Sequence, residues 1–403
     1  MKILQINNYN TTNGGANIYY NELCKLLKQK AEVLQCYAGS PGSFSSSSDY
    51  ILRELNISSP SMDALRYFYR PNARKDFREY LVRNRPDLAH VHIFQGQVSW
   101  SLLQELKSLE IPIVQTLHDL KVVCPTGYAI RNNEFCTSCL MSSKNCIQFT
   151  CNRGKILRSI HSAIDFQIGR YFDYPEIVNH FICVSNYQKK IVSKIIDVDR
   201  STVIHNFSKT VSAAQSSERL LDEDYLLYPT RLVEKKGVEE LIQIYKADQS
   251  KILPRVVIAG DGEFRKRFED SVIKSSLSDR IYFWGHSTGQ ELSKLYLDCI
   301  CVLNLSQLNE TFGLTSIEAF SHGRPIIVSK NGALPEIVDN YDKGLVISNF
   351  DNIIAVKDEI IDYLSKISMN SNALYLTQHH YDHFSPENHL GKLFEVYKKV
   401  IYS

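Results

Sequence analysis

Short apolar runs separated by helical patterns make up the first half of the chain. The first run, KILQINN, ends in polar Asn7 and Asn8 and leads through the glycine-bearing turn TTNGGA into an amphipathic segment, NIYYNELCKLLKQK. Later runs of the same kind are LAHVH (Leu88–His92), IPIVQTLHD (Ile111–Asp119), HFICVS (His180–Ser185) and TVIHN (Thr202–Asn206). Apolar runs that alternate with helices predict buried parallel strands, because parallel neighbours need a crossover connection.

The same alternation begins again after a change of texture. The segment Ser208–Asp224 is rich in Ser and acidic residues and has weak periodicity, which indicates a connection between domains. The predicted strands beyond it are Tyr225–Thr230, Arg255–Gly260, Arg280–Gly285, Ile300–Leu305, Pro325–Ser329 and Gly344–Ser348. We therefore predict an α/β protein with two doubly wound, Rossmann-like domains, residues 1–207 and 208–384. Ligands of such sheets bind at the carboxyl ends of the strands.

The last nineteen residues, 385–403, have the pattern of a separate helix. Ser385 can cap it, and Pro386 suits its first position. Its apolar residues form one stripe at helical spacing, namely Leu390, Leu393, Phe394, Tyr397, Val400 and Ile401. This pattern predicts that one face of the helix is buried.

Charge is distributed unevenly along the 403 residues. The net charge is only +2, which argues against broad nucleic-acid binding. Residues 1–200 nevertheless carry 24 Lys and Arg against 17 Asp and Glu, whereas residues 201–403 carry 22 against 27. The first half therefore has an excess of seven positive charges, which is either chance or a sign of an anionic partner.

Neither end of the chain nor its interior carries a membrane-targeting pattern. The start, MKILQINNYN, has too short an apolar run for a signal peptide. The longest spanning candidate, LYLDCICVLNL, is interrupted by Asp298. We therefore expect a cytoplasmic protein, either soluble or peripheral on the inner face of the membrane.

Five of the ten cysteines lie in one excursion, residues 124–151. After Cys124, the spacing is C-x2-C-x6-C-x4-C, formed by Cys136, Cys139, Cys146 and Cys151. Four thiolates within sixteen residues in a reducing compartment suit a structural zinc ion. The spacing departs from familiar zinc ribbons, so an iron–sulfur cluster or four reduced thiols stay as alternatives.

The segment Leu305–Val338 carries the most specific pattern. Thr315 and Glu318 fit a capping box, which would start a helix near Ser316 and give Glu318 a purely structural role. That interpretation leaves Glu310 and the TFGL run unexplained. A glycine before a helix start lets backbone N–H groups approach an anion, and flanking carboxylates suit sugar hydroxyls. A phosphorylated sugar would use both features.

Cations follow the first strand of the second half. Arg231 and Lys236 lie between this strand and the next helix. Two fixed cations beside a helix N-terminus suit a pyrophosphate, although exposed cations usually have no specific role. His118 ends a strand of the first half, where active sites gather, but a lone histidine is more often structural. Its neighbour Asp119 is a candidate for fixing the histidine tautomer.

Two acidic motifs and two glycines complete the candidate chemistry. Asp197–Asp199 and Asp222–Asp224 match the D-x-D pattern that holds a metal beside a sugar nucleotide, but both fall in surface-like loops. Gly14 and Gly15 lie at a strand–helix turn without the G-x-G-x-x-G pattern, which argues against a dinucleotide site. A tight turn against phosphate or acceptor is the alternative.

Cations and aromatic residues alternate in the stretch LRYFYRPNARKDFREYLVRNRP, residues 65–86. One interpretation is a solvated helix that packs its aromatic side chains inward. The other is a peripheral contact with an anionic membrane surface.

Several of these motifs, taken in order, resemble the retaining family-4 glycosyltransferases of the GT-B fold. They are TRLVEKKG, LNETFGLTSIEAFSHGRPIIVS and NGALPEIV in the second half and NGGA, TLHD, CVSNYQKKIV and VIHNF in the first. The resemblance covers nearly the whole chain. It implies transfer of a sugar from a UDP- or GDP-sugar with retained anomeric configuration and without an essential metal. The cysteine excursion is similar to one in bacterial enzymes of surface-polysaccharide synthesis, which implies a glycan acceptor. The basic aromatic stretch favours a polyprenyl-linked saccharide as that acceptor.

The resemblance also implies roles for residues of the second half. Arg231 and Lys236 would neutralise the departing diphosphate, Glu310 would hold hydroxyls of the donor sugar, and Glu318 would hold the ribose. Backbone N–H groups near the sugar would come from Phe312, Gly313, Leu314 and Thr315. Thr311 and Thr230 stand where the family often has glycine, which should narrow the pocket without removing a charge.

The remaining implied roles concern both halves. Gly15 would lie close to the diphosphate and His118 beside the reacting centre, while Gly285 and His286 would receive the base through their backbone. The C-terminal helix, residues 385–403, would pack back on the first domain. Two rival functions stay open. One is a GT-B nucleotide-sugar 2-epimerase, and the other is a non-catalytic, zinc-stabilised module that binds a sugar or nucleotide.

Overall fold

The structure is a computed structural model that describes residues 1–11, 14–39, 46–55, 62–132, 134–209, 219–338, 343–367 and 369–402. It divides into two compact units. Unit 1 consists of residues 1–206 and 389–403, and unit 2 consists of residues 207–388. Thr12 and Asn13 of the predicted first turn, and residues 210–218 of the predicted connection, lie outside the described residues.

Unit 1 is built on a seven-stranded parallel sheet with the order β3-β2-β1-β4-β5-β8-β9. Its strands are β1 (Lys2–Tyr9), β2 (Glu32–Ala38), β3 (Tyr50–Leu52), β4 (Leu88–Val91), β5 (Ile113–Leu117), β8 (His180–Cys183) and β9 (Ser201–Val203). A small antiparallel hairpin is formed by β6 (Ile130–Arg131) and β7 (Glu134–Phe135). The connecting helices are α1 (Gly15–Leu27), α2 (Met62–Arg66), α3 (Pro71–Asn84), α4 (Trp100–Ser108), α5 (Lys144–Gln148), α6 (Ile156–Tyr171) and α7 (Asn186–Val192).

Unit 2 repeats the plan with a six-stranded parallel sheet of order β12-β11-β10-β13-β14-β15. Its strands are β10 (Tyr225–Pro229), β11 (Arg255–Ala259), β12 (Ile281–Gly285), β13 (Cys301–Asn304), β14 (Ile326–Ser329) and β15 (Gly344–Ile347). Its helices are α8 (Val238–Ala247), α9 (Arg265–Lys274), α10 (Gly289–Asp298), α11 (Leu314–Ser321), α12 (Leu334–Ile337), α13 (Ile353–Lys366) and α14 (Met369–Phe384). The last helix, α15 (Pro386–Tyr402), leads from unit 2 back into unit 1.

Both sheets are covered on both faces, as parallel sheets require. Six consecutive residues of β1 and all five residues of β5 are buried. Large side chains that fill the core of unit 1 are Phe77, Phe94, Trp100 and Phe181. Those of unit 2 are Tyr228, Tyr245, Phe268 and Tyr363. The two parallel sheets confirm the predicted α/β architecture.

Helix α15 buries the face that its sequence predicts. It begins at Pro386, and the Asn388 N–H donates to Ser385 Oγ at 3.4 Å. The buried side chains of its unit 1 part are His389, Leu390, Leu393, Val396, Tyr397 and Val400. Tyr397 Oη and His90 Nδ1 of β4 lie 2.6 Å apart, so a polar contact fixes the helix as well as its apolar stripe.

The strands β2 and β3 were not predicted. Gln35 interrupts the apolar run of β2, although it is fully buried and its Nε2 donates to Tyr20 Oη at 3.2 Å. A buried polar residue interrupts the apolar run by which a strand is predicted from sequence. Its burial becomes understandable only when the tertiary structure shows its hydrogen-bond partner.

Candidate active site

The strand order of unit 2 places β10 beside β13 at the centre of the sheet. The chain continues from β10 to β11 on one side and from β13 to β14 on the other. This is a topological switch point, where a crevice opens outside the carboxyl ends of the strands. The loop after β10 carries Arg231 and Lys236, and the loop after β13 carries Glu310. The fold thus brings these predicted residues to the same edge of one sheet.

A buried tyrosine holds the loop that carries Lys236. Tyr228, the fourth residue of β10, donates from Oη to the Lys236 carbonyl and accepts from the Leu305 N–H at 3.2 Å. Gly237 ends the loop with φ +80°, and a Cβ there would lie 2.1 Å from the Leu305 carbonyl oxygen. The loops after β10 and β13 are therefore held together by the Tyr228 hydroxyl and by the close approach of Gly237, a position that only glycine can occupy.

Lys236 and Glu310 form the central contact of the crevice. Lys236 Nζ donates to Glu310 Oε1 at 2.5 Å, and the two side chains are 17% and 20% exposed. Burial acts to raise the pKa of Glu310, but the Lys236 ammonium, a Ser306 hydrogen bond and the charge of Arg231 outweigh it and leave the pKa below its usual value. Glu310 is thus an ionised carboxylate beside two cations, of which Arg231 is exposed.

Backbone packing fixes the position of Glu310. The Ala333 N–H donates to the Glu310 carbonyl at 2.8 Å. Gly332, with φ +71°, passes so close that a Cβ would lie 2.2 Å from the same oxygen. The loop after β13 is therefore held from both sides, by the loop after β10 and by the loop after β14.

The start of α11 differs from the sequence prediction. The helix begins at Leu314 with Gly313 as its N-cap (φ +110°), and no side chain caps it. The predicted capping box of Thr315 and Glu318 is therefore wrong. Glycine is needed at the cap because a Cβ would come within 2.6 Å of Leu334 Cδ2.

The bare helix start is part of the crevice. Phe312 is buried before it, whereas Leu314 and Thr315 of the first turn are partly exposed. N–H groups of a first turn have no acceptor within their helix and attract anions. Ser316 Oγ is buried there without a hydrogen-bond partner. The backbone N–H groups of Leu314 and Thr315 are therefore candidate donors to an anion, and the predicted anion seat stays a prediction.

Glu318 is oriented by residues that the sequence did not single out. Tyr296 of α10 donates from Oη to Glu318 Oε2 at 2.8 Å. Burial raises the pKa of Glu318, and the Tyr296 hydrogen bond partly offsets this effect. Beneath Tyr296, His322 stacks at 4.8 Å between ring centroids, and its Nδ1 lies 2.7 Å from the Glu318 carbonyl oxygen. The carbonyl can only accept, so Nδ1 carries the proton of this ring.

Gly285 and His286 lie at the same edge of the sheet as the crevice but two strands away, after β12. Gly285 has φ +101°, and its carbonyl accepts the Gly260 N–H at 2.7 Å. His286 is exposed. Their position at the carboxyl end of β12 is compatible with reception of a base, and this role stays a prediction.

In unit 1, His118 follows β5 within a buried histidine cluster. Its Nε2 lies 3.1 Å from His92 Nδ1, and His92 Nε2 lies 2.9 Å from Gln5 Oε1. The amide oxygen can only accept, so His92 Nε2 carries a proton and His92 Nδ1 accepts from His118. Burial lowers the pKa of His118 to about 4 and that of His92 well below its usual value, which keeps both rings neutral.

Asp119 does not orient His118, contrary to the suggestion from the sequence. Its Oδ1 accepts the Lys121 N–H at 2.9 Å, and His92 takes the orienting place. Gly15 lies at the first position of α1, while Gly14 before it has the left-handed backbone, φ +86°. The open turn is thus made by Gly14, and the roles of Gly15 and His118 stay predictions.

The predicted zinc site finds no support in the geometry. Among the residues that the structure describes, no three His, Cys, Asp or Glu side chains are grouped so that they could hold a metal ion. Cys139 and Cys146 share a hydrogen bond, which lowers the pKa of Cys139, and both pack on Ala163. Cys136 Sγ lies 3.1 Å from Ser138 Oγ. Cys139, Cys146 and Cys151 lie in one small cluster with Ala163 and Ile147, and the zinc site stays a prediction.

The acidic motifs lie away from the crevice. Asp222 and Asp224 precede β10 and so lie toward the amino ends of the strands, where Arg219 pairs with Asp224 at 3.0 Å. Asp197 and Asp199 flank a turn before β9. Neither pair is at the carboxyl edge where the predicted donor site lies.

Most cations of the basic aromatic stretch are engaged inside unit 1. Arg74 and Arg78 both pair with buried Glu105, at 2.6 and 2.5 Å. Arg66 pairs with Asp63 at 3.0 Å, and Arg70 is buried against backbone carbonyls. These contacts favour the structural interpretation of the stretch over a membrane contact. No described helix has the length and apolarity needed to cross a bilayer.

Two family models match the chain. The model described as "Glycosyltransferase Family 4" matches residues 13–210, and that described as "Glycosyl transferases group 1" matches residues 212–374. Two uncharacterized glycosyltransferases of Methanocaldococcus jannaschii are 32% identical over 124 residues and 29% identical over 201 residues. These stretches are 31% and 49% of this chain, and the chain spans about a third and about half of the length of the two relatives (32% and 53%).

Solved structures share the fold over the full length. A glycosyltransferase from Rickettsia africae has a TM-score of 0.71 at 16% identity and covers 99% of this chain and 98% of its own. Anabaena HepE in complex with UDP and glucose has a TM-score of 0.69 at 16% identity, with 98% and 99% covered. These structures show that the chain has the GT-B fold. The two family models, which together match residues 13–210 and 212–374, show that it belongs to the family-4 glycosyltransferases.

Proposed function

We propose that the protein is a retaining glycosyltransferase that moves a sugar from a UDP- or GDP-sugar to a glycan or polyprenyl-linked saccharide. The observation that carries the proposal is the Lys236–Glu310 pair at the switch point of unit 2, beside the uncapped start of α11. The structure of Anabaena HepE with UDP and glucose supports a nucleotide-sugar donor for this fold.

The diphosphate of the donor binds where positive charge converges. Arg231 and Lys236 supply two cations, and the first-turn N–H groups of α11 add the positive end of a helix dipole. Negative charge grows on the leaving oxygen as the sugar–phosphate bond breaks. Preorganised donors at such an oxygen lower the barrier, and removal of one typically costs a factor of about 100 to 1,000 in kcat.

The carboxylates have separate tasks in this scheme. Glu310 is ionised and accepts hydrogen bonds from hydroxyls of the donor sugar. Its salt bridge with Lys236 holds the lysine ammonium beside the phosphate that is attached to the anomeric carbon. Glu318 accepts from the ribose, and the bond from Tyr296 leaves its second oxygen for that purpose. The backbone of Gly285 and His286 receives the base.

Retention of configuration follows from the same assignments. Glu310 is tied to Lys236, so no carboxylate of the crevice serves as a nucleophile. The acceptor hydroxyl then attacks from the face that the diphosphate leaves, and a phosphate oxygen takes its proton. We propose that neutral His118 holds a hydroxyl at the reacting centre, and that the enzyme works on the cytoplasmic side in bacterial surface-polysaccharide synthesis.

The test uses the intact protein with UDP- and GDP-sugars. A thermal-shift screen identifies the donor, and NMR of the reaction mixture with a saccharide acceptor reports the anomeric configuration of the product. The proposal expects a product with the donor's configuration and unchanged rates after treatment with EDTA, because Arg231 and Lys236 carry the neutralising charge. An inverted product overturns the retaining mechanism. Isomerisation of the nucleotide sugar without acceptor indicates the 2-epimerase instead, and binding without any turnover indicates a non-catalytic module.

A further inference from the structure

Unit 1 contains a cavity of about 230 Å³ next to the strand that carries His118. It lies between the loop after β5 and helix α6, and the cysteine-containing excursion adds Pro125 and Leu140 to its wall. Most of its lining is apolar or aromatic, including Trp100 and Tyr174. An apolar cavity with a few polar groups is the usual form of a small-molecule site.

The Trp100 side chain, which lines the cavity, is held in position by contacts within the protein. Trp100 Nε1 donates to buried Asp165 Oδ1 at 2.9 Å, and the Trp100 ring packs edge-on against Phe94 at 4.8 Å between centroids. Gly169 of α6 lies so close that a Cβ would come within 2.7 Å of the ring. Because Gly169 has no side chain, the Trp100 indole ring can pack directly against helix α6.

Two cations line the cavity with no ion pair among the described residues, Lys121 and Arg170. Burial raises the pKa of Asp165, the acidic side chain of the lining, and its Oδ1 is already bonded to Trp100. The contrast with the basic aromatic stretch is clear, because there Arg74 and Arg78 are neutralised by Glu105. The charge of Lys121 partly offsets the effect of burial on Asp165, and Arg170 is exposed, so the lining carries two cations against one acidic side chain. An apolar cavity with an excess of cations suits an amphiphilic anion.

The cavity lies next to a recess at His118. A smaller recess lined by His92, His118 and Asp119 shares four lining residues with it, namely Gln95, Lys121, Val122 and Tyr174. Tyr174 is held in position by a hydrogen bond from its Oη to Gln115 Oε1 at 2.9 Å. A ligand seated in the cavity would therefore lie on the other side of these four residues from the recess at His118, or reach past them.

We propose that this cavity binds the acceptor substrate through an anionic group, a phosphate or carboxylate, that is joined to an apolar group. The apolar group packs on Trp100, and Lys121 and Arg170 hold the anion. Naming the ligand as the acceptor rests on the proposed function, whereas the chemistry of the site rests on the cavity alone.

Calorimetric titration with n-hexyl phosphate tests the proposal. Wild-type protein should bind it, and the double variant Lys121→Met/Arg170→Met should bind at least tenfold more weakly. Arg158→Met is the matched control, because Arg158 is an exposed cation of the same helix α6 and does not line the cavity. Equal binding by wild type and double variant, or no binding by wild type, overturns the proposal.

Three further probes resolve the chemistry. Inorganic phosphate alone should bind much more weakly than hexyl phosphate, and equal affinity overturns the apolar part. Hexanol should bind weakly, and equal affinity overturns the anionic part. Co-sedimentation with phosphatidylglycerol vesicles distinguishes the sources: loss of vesicle binding in the double variant indicates a lipid-borne anion, and no vesicle binding by wild type indicates a free one.

Failure of this inference can be told from failure of the proposed function. Nucleotide binding depends on unit 2, so the thermal shift with UDP or GDP should be the same in wild type and the double variant. If hexyl phosphate does not bind but the nucleotide does, only the acceptor assignment falls. If no nucleotide binds, the proposed function falls whatever hexyl phosphate does.

Discussion

The two units have the same strand order around their central strands, yet their switch points carry opposite chemistry. In unit 2, the loops after β10 and β13 hold a salt bridge between Lys236 and Glu310 with Arg231 nearby. In unit 1, the corresponding strands are β1, whose last residues include Asn7 and Asn8, and β4, which is followed by His92. The residues at the unit 2 switch point are charged, and those at the unit 1 switch point are neutral.

The neutrality of the unit 1 edge follows from burial. Desolvation lowers the pKa values of His90, His92 and His118, and their hydrogen bonds to one another and to Gln5 satisfy the neutral rings. Neutral imidazoles and amides bind hydroxyls, whereas fixed cations and a helix start bind phosphates. On the proposed function, the same strand order would serve a donor's diphosphate in unit 2 and an acceptor's hydroxyl in unit 1, through different side chains at corresponding strands.

Loss of Lys236 should give the largest effect and would break the comparison most directly. Lys236→Ala should lower kcat by about 100- to 1,000-fold, because one donor to the leaving diphosphate is gone. Lys246→Ala, at the exposed end of helix α8 that follows the Lys236 loop, is the matched control and should keep wild-type rates. Steady-state kinetics and melting temperatures check both variants. Near-normal turnover of Lys236→Ala would remove this residue from the site.

The loop geometry of unit 2 can be broken at a glycine. Gly237→Ala would push a Cβ into the Leu305 carbonyl at a positive φ, so it should destabilise the protein by about 3 kcal/mol or distort the Lys236 loop. Gly289→Ala is the control, because Gly289 also has a positive φ (+58°) but nothing within 4 Å of its Cβ position. Urea unfolding separates the two effects. Equal losses in both variants would mean that backbone strain alone matters at Gly237.

The charge of the unit 2 edge should appear in the pH dependence of stability. The pKa of Glu310 in the folded protein lies below its ordinary value of 4.5, so its ion pair stabilises the fold above that pH and loses its effect as the pH falls through the folded pKa. Glu310→Gln should therefore cost about 2 kcal/mol near pH 7 and progressively less below about pH 4. Denaturant unfolding across this range measures it. A cost independent of pH would show that the carboxylate charge is not what stabilises the loop.

The neutral edge of unit 1 should give the smallest effect. His92→Leu removes the acceptor that orients His118 and should lower kcat about fivefold, the equivalent of about 1 kcal/mol for one hydrogen bond. His92→Asn, which keeps an acceptor near the position of Nδ1, should recover part of the loss. The sharper readout is the salt dependence of the donor KM, which neither variant should alter. A changed salt dependence would contradict the division between a charged and a neutral edge.

Periodicity was sufficient to predict the two parallel sheets and the buried face of α15, because a buried parallel strand appears in the sequence as a short apolar run. It also placed Arg231, Lys236 and Glu310 after predicted strands, but it did not give the order of those strands in the sheet. The sequence could not show that Lys236 and Glu310 bond to each other, because they are seventy-four residues apart. They meet only because strands β10 and β13 are adjacent in the sheet.

The orienting residues were missed for a related reason. Tyr228 and Tyr296 look like ordinary core aromatics, and only their hydroxyl partners, the Lys236 carbonyl and Glu318, reveal the role. The capping box was a wrong prediction because T-x-x-E is a local pattern, and tertiary bonding to Tyr296 takes Glu318 away from the helix start. The zinc prediction relied on cysteine spacing, which does not determine how the thiols are folded.

The most direct test of the account is the affinity of Lys236→Ala for a nucleoside diphosphate compared with the monophosphate, measured by calorimetry with UDP and UMP or with GDP and GMP. If Lys236 faces the diphosphate, the variant should lose at least tenfold in diphosphate affinity and much less in monophosphate affinity. Equal losses for the two nucleotides, or no loss for either, would contradict the assignment of the unit 2 switch point as the donor site.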